Sequence, residues 1–224
     1  MTSKRLSIKS LGLTFLFCLV VVVATPIRML CSLGVDVKMD DEVITEVYPV
    51  KPYGLLAEGL RVYVSEGCAN CHSQIVRGLG SGDVSRGFGV RSTVPRDYIL
   101  DKPSVLGSFR LGPDLSNYGS KEWRSDASSA GQGAFDSNRV LAKLYFGFKL
   151  VSGSSMPDYK NLFQTRRRLG QGSPNALVLT GYGAVPEGFE VIPKPEAVAL
   201  VAYLESLARQ HSFNTSAAVE VSGR

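Results

Sequence analysis

The sequence predicts an all-α domain behind one N-terminal transmembrane helix, and three observations carry that prediction. One is an uncharged apolar run near the start, Leu11–Ile27. Another is a set of three segments whose apolar residues recur at helical spacing, separated by Gly- and Pro-rich stretches. The third is Cys68-Ala69-Asn70-Cys71-His72, placed directly after the first of those segments.

The apolar run is 17 residues long, the short end of what crosses a bilayer. Lys4, Arg5 and Lys9 precede it, and an acidic stretch from Asp36 to Glu46 follows it. The positive-inside bias then keeps residues 1–30 as a cytoplasmic N-terminus and membrane anchor and exports the remainder. A cleaved signal peptide is the competing reading, with Val22 and Ala24 as small residues ahead of a cut. Arg28 favours the anchor, because a snorkelling side chain lets the run continue through Met29 and Leu30.

Residues 31–52 read as an extended linker, since Tyr48-Pro49 and Lys51-Pro52 restrict a helix there. A domain is expected over 53–210. Its first helix starts near Gly54, carries Leu56, Leu60 and Val64 on one face with Val62 and Tyr63 beside them, and ends at Gly67. Residues 78–112 are Gly-rich and irregular. A second helix is expected over Ser137–Phe146, with Asp136 or Ser137 as N-cap and Gly147 as its stop. Residues 160–193 read as loop, with Gly or Pro every few positions, and Arg166-Arg167-Arg168 as a solvated basic run within it. The last helix opens on Pro195 and shows an apolar face of Ala197, Leu200, Val201, Leu204, Leu207 and Ala208. A polar tail, 211–224, completes the chain.

Composition narrows the function. The net charge is +5, yet the first 30 residues hold four basic residues and no acid, which leaves 21 basic against 20 acidic residues in the rest. The folded part therefore lacks the basic footprint of a nucleic-acid binder. The chemistry lies in Cys68-x-x-Cys71-His72, the attachment sequence of a c-type haem. Two thiols at this spacing reach the vinyl groups along one edge of the macrocycle, and His72 then presents an imidazole nitrogen to the iron. A zinc site is the alternative, but it needs four ligands. The chain has two His, and its other cysteines, Cys18 and Cys31, lie in or beside the apolar run.

The second axial ligand follows by elimination. Met1 and Met29 belong to the N-terminal run, and Met39 lies in the acidic segment. Met156, in Gly153-Ser-Ser-Met-Pro157, is well downstream in a Gly/Ser-rich loop that suits a ligand better than core filler. His211, the other candidate, falls at the start of the polar tail. With His72 and Met156 both on the iron, one covalent haem c carries electrons and binds no substrate. A haem-based sensor or catalytic haem protein would need an open iron, which Met156 argues against.

A helix before the haem motif, an irregular middle, a Met loop and a final helix follow the order of the class I cytochrome c fold. Gly112-Pro113-Asp114-Leu115 fits that plan, with the Pro113 carbonyl accepting the second ring N–H of His72. Tyr203-Leu204 of the last helix would pack across the first.

Several segments resemble subunit II of the cbb3-type cytochrome c oxidases, a membrane-anchored mono-haem subunit. They are Gly59–Arg77 with its Cys-His-Ser-Gln core, Tyr98–Pro103, Gly107-Ser108, Gly112–Leu115, Glu122-Trp123, Leu144-Tyr145, Ser155–Pro157 and Ala199–Leu204. The sequence departs from that pattern at Gly78, Lys102 and Leu106, where Pro, His and Trp are usual. The resemblance implies an electron-transfer subunit of a haem–copper oxidase. It would take electrons from another cytochrome c and pass them to the catalytic subunit. Its setting would be the bacterial cytoplasmic membrane, with the haem domain on the periplasmic side. A free-standing anchored cytochrome c, or the cytochrome subunit of a nitric oxide reductase, is the other reading.

Overall fold

The computed structural model describes residues 8–32, 36–40, 43–78, 80–120, 123, 135–178 and 185–211. Lys4, Arg5, Glu122 and all of the tail beyond His211 lie outside the described residues. The chain forms two compact units, Met1–Pro49 and Val50–Arg224.

The first unit holds helix α1, Ile8–Ser32, and an antiparallel pair of strands, β1 (Asp36–Asp40) and β2 (Val43–Tyr48). Asp36 pairs with Tyr48 and Asp40 with Val43, with an irregularity between Lys38 and Met39. The stretch expected as an extended linker pairs with itself as these two strands. Val37, Val43, Ile44, Thr45 and Val47 are β-branched and favour pairing over a bare extended chain. The transmembrane expectation is corrected too. Among the described residues no helix is long and apolar enough to cross a membrane. The uncharged stretch Leu11–Ile27 rises about 26 Å at 1.5 Å per residue, short of a hydrocarbon core of about 30 Å, and Pro26 lies within the helix.

Among the described residues the second unit contains three α-helices: α2 (Leu55–Ser65), α3 (Ser137–Phe146) and α4 (Pro195–Glu205). It also contains a strand pair that overturns the all-α expectation. Strand β3 (Phe163–Arg167) runs antiparallel to β4 (Phe189–Pro193), with Thr165 opposite Val191 and Arg166 opposite Glu190. Both strands fall inside the stretch read as loop. Arg166 is no idle solvated residue there, since its Nε donates to the Glu190 carboxylate at 2.8 Å. Val191 is buried and its carbonyl accepts from Leu177 N–H, which closes the pair onto the core.

The core is built where the first and last helices of this unit cross. The buried positions of α2 are Gly59, Leu60, Val62 and Tyr63. Val64 is 45% exposed, so the contact face is turned away from the expected Leu56–Leu60–Val64 line. Gly59 sets that rotation. A Cβ there would sit 2.0 Å from the Ala199 carbonyl oxygen and 2.6 Å from Tyr203 Cβ, so only a bare Cα lets the backbones approach. Tyr63 meets Tyr203 edge-on, with ring centroids 5.5 Å apart. Leu200, Val201 and Leu204 of α4 and Val140, Leu144 and Tyr145 of α3 complete the cluster. Helix α4 stops at Glu205. Leu207 remains buried beyond it, whereas Ala208 is exposed and leaves the expected apolar face. Helix α3 has the expected ends, with the Asp136 carboxylate accepting from Arg139 N–H and Gly147 as C-cap.

Gly59→Ala should destabilise the unit by about 1–3 kcal/mol, the usual cost of overpacking. Each kcal/mol should lower Tm by about 2–4 °C at this size. Thermal melts followed by circular dichroism test this against Val198→Ala, on the exposed side of α4, which should change little.

Candidate functional site

Helix α2 delivers the chain to the cysteines. It ends at Ser65, Gly67 turns with φ 72°, and Cys68–Asn70 forms a short 3-10 turn. His72 N–H then donates to the Cys68 carbonyl at 2.9 Å, which folds Cys68, Cys71 and His72 into one tight loop. Both cysteines are free thiols. Cys68 is buried, and burial, helped by the nearby Glu66 carboxylate, pushes its thiol up to about 12. Cys71 is half-buried.

His72 is held by the segment 106–115, which returns alongside it. Ser108 N–H donates to Ala69 O, Gly112 N–H to Cys71 O and Leu115 N–H to Ser73 O, while Gln74 N–H donates to Leu106 O. This pairing brings the Pro113 carbonyl 2.9 Å from His72 Nδ1. A carbonyl can only accept, so Nδ1 carries the proton and Nε2 is left with its lone pair. Burial lowers the imidazole pKa, against the opposing pull of Pro113 and Asp114. Gly112 packs against the ring, where a Cβ would lie 2.3 Å from His72 Cε1.

A buried polar cluster, unread in the sequence, locks the two segments together. Asp114 Oδ2 accepts from Ser73 Oγ at 2.7 Å and from Ile75 N–H at 2.8 Å, and Oδ1 accepts from Ser116 N–H. Arg110 donates to Ser73 Oγ at 2.6 Å, to Asp83 Oδ1 at 2.6 Å and to the Ile75 carbonyl. Asp83 also accepts from the Arg77 backbone and guanidinium. Burial alone would raise the Asp83 carboxyl. The hydrogen bonds from Arg77 and Arg110 outweigh it and hold the group well below the usual carboxylate range. Gln74, fully buried, exchanges hydrogen bonds with the Tyr203 hydroxyl and so ties the site to α4. The Ser73, Gln74 and Arg77 positions had a signal in the motif's continuation. Arg110 and Asp83 had none, being isolated residues of an irregular stretch.

Met156 is partly buried against the core cluster that contains Cys68. Its loop is pinned to α3 by Tyr159 N–H donating to the Leu144 carbonyl. Burial raises the Tyr159 hydroxyl, and the neighbouring Cys68 and Cys71 act in the same direction. His211 is half-buried, with its carbonyl accepting from Arg91. Among the described residues no three His, Cys, Asp or Glu side chains gather as a metal-ion cage.

The donor set fits a haem c. Two free thiols stand at the attachment spacing, one imidazole offers an unprotonated Nε2, and a thioether loop lies on the same core. The profile of the family described as cytochrome c oxidase, mono-haem subunit/FixO matches residues 3–185. The chain belongs to that family. Its resemblance to subunit II of the cbb3-type oxidases is therefore real, and membership implies one haem and a place in a cytochrome c oxidase. No curated protein matches the chain.

The depressed Asp83 carboxyl makes stability depend on pH. Its charged form is favoured by folding, so the contribution is complete above the unfolded carboxylate value of about 3.9 and is lost as pH falls below it. Urea midpoints between pH 7 and pH 3 should decline at the acid end. In Asp83→Asn the decline should be shallower and the neutral-pH midpoint lower.

Proposed function

We propose that this chain is the electron relay of its oxidase, with one haem c bound covalently through Cys68 and Cys71 and ligated by His72 and Met156. The observation that carries the reading is the 2.9 Å bond from His72 Nδ1–H to the Pro113 carbonyl. It fixes the tautomer and leaves Nε2 as the ligand atom. When bound, the haem supplies one-electron transfer at a potential raised by a thioether ligand. The protein's own part is positional. The two thiols tether one edge, the Arg110–Asp114 cluster keeps Pro113 on the imidazole, and Met156 fills the position a substrate would need. Phe109 and Leu111, 67% and 74% exposed, flank this segment and offer an apolar surface to a redox partner. Electrons would arrive from another cytochrome c and leave to the haem–copper catalytic subunit, with this unit on the outer side of the cytoplasmic membrane.

His72→Ala should be isolated without haem or with haem loosely held. Met156→Ala should have a lower potential and should bind carbon monoxide when reduced. Visible spectroscopy decides the ligand: a sulfur-to-iron charge-transfer band that survives in Met156→Ala rules it out.

Purification from native membranes tests the partnership. The chain should emerge with a subunit containing haem and copper, and the complex should reduce oxygen when given a reduced cytochrome c. A chain that emerges alone is a free-standing carrier.

A further inference from the structure

Helix α2 has a second face, outside its crossing with α4. Ala57, Leu60 and Val64 on that helix line a hollow of about 390 Å³ together with Leu100 and Pro103. Cys68, Cys71, His72 and Met156 do not border it, so it stands apart from the candidate haem site. Val64 is the residue that the helical pattern puts on the core face and the fold leaves exposed. The charges about the hollow have one sign. Lys51, Arg61 and Lys102 border it, and among the described residues no Asp or Glu does. Arg61 is answered on its own helix, where its Nε donates to Glu58 at 2.9 Å. Lys51 and Lys102 are exposed and make no ion pair among the described residues. Asp101, next to Lys102, is taken by Arg209.

A lysine beside an apolar wall lends its methylene stem to the wall and keeps its ammonium in water. An apolar floor under two unanswered ammonium groups is complementary to an apolar group carried next to carboxylates. The apolar surface also continues past the hollow. Val50, Tyr53 and Leu55, close in the chain to Lys51, are exposed. A small molecule in the hollow would leave them in water. A polypeptide covers both, with an apolar centre and a charged rim. Membership of an oxidase-subunit family implies such a neighbour. We propose that the hollow between α2 and residues 100–103 is the docking site for an acidic segment of a neighbouring oxidase subunit. That segment seats an apolar side chain against Leu60, Val64 and Leu100 and sets Asp or Glu carboxylates beside Lys51 and Lys102. The proposal rests on the oxidase partnership of the preceding section and not on the haem ligands.

The test uses the full-length chain in its native membrane. A photoreactive benzophenone amino acid in place of Val64 is irradiated, and the cross-linked peptides are sequenced by mass spectrometry. The expected product joins this chain to an Asp- or Glu-bearing segment of another oxidase subunit. A product with lipid, a product with a second copy of this chain, or no product overturns the assignment. Co-purification gives an independent reading. Val64→Asp puts a carboxylate on the apolar wall, and Lys51→Glu combined with Lys102→Glu reverses the rim. Each should cut the co-purified oxidase subunit about tenfold. Arg167→Glu, at an exposed cation on β3, should leave the yield as it was. An unchanged yield in either groove variant overturns the assignment. Should circular dichroism show Val64→Asp unfolded, the double lysine variant decides. A wild-type chain that leaves the membrane alone refutes the partnership itself, and the docking site with it.

Discussion

One buried carboxylate determines the arrangement of the site. Asp114 is fully buried and accepts hydrogen bonds from Ser73, Ile75 and Ser116. Two of those donors belong to the segment leaving His72, and the third follows Asp114 itself. The side chain thereby fixes the register between 73–75 and 113–116. Pro113 is its immediate neighbour, so the register that satisfies Asp114 also puts the Pro113 carbonyl on the imidazole. Arg110 closes the same cluster from the other side and brings Asp83 and Arg77 with it. Buried ion pairs of this kind add little net stability over apolar packing, but an unpaired member is costly. Their effect is to exclude alternative registers, which suits a ligand that must point at one place.

Family membership gives this geometry its setting. The family is that of the mono-haem subunit of cytochrome c oxidase. The described residues supply an imidazole oriented by the Pro113 carbonyl and a Met156 loop packed on the same core. The Lys102 and Leu106 departures lie in the 98–107 block, and Leu106 belongs to the segment that pairs beside His72, its carbonyl accepting from Gln74 N–H.

Much of the fold was legible, and the failures have physical causes. Helix α3 and the start of α4 were readable because capping and apolar period agree there: Asp136, Gly147 and Pro195 mark the ends that the side-chain pattern implies. The rotation of α2 was not readable, since a glycine contributes nothing to a hydropathy pattern while deciding how closely two backbones meet. Strands β3 and β4 were hidden because each is five residues long and they are separated by a long Gly- and Pro-bearing connection. Their pairing is a long-range event with no local signature. At the site, the cysteines and His72 announced themselves by spacing, and Pro113 by position. The Arg110–Asp83 pair did not, because its members are distant in sequence and polar residues in irregular chain look solvated until the fold buries them.

The crossing of α2 with α4 joins the beginning and the end of the haem-bearing unit. Residues 59 and 203 touch, so the contact that closes the core has a very long sequence separation and carries the largest loop-closure entropy in the unit. A chain made from its N-terminus presents Cys68, Cys71 and His72 long before α4 exists. In the closed fold Cys68 is buried with its thiol pushed up to about 12, and a protonated, enclosed thiol is a poor nucleophile. In the open chain the Cys68 thiol is free of that enclosure. The order of synthesis therefore exposes the Cys68 side chain first, and the crossing of α2 with α4 encloses it afterwards.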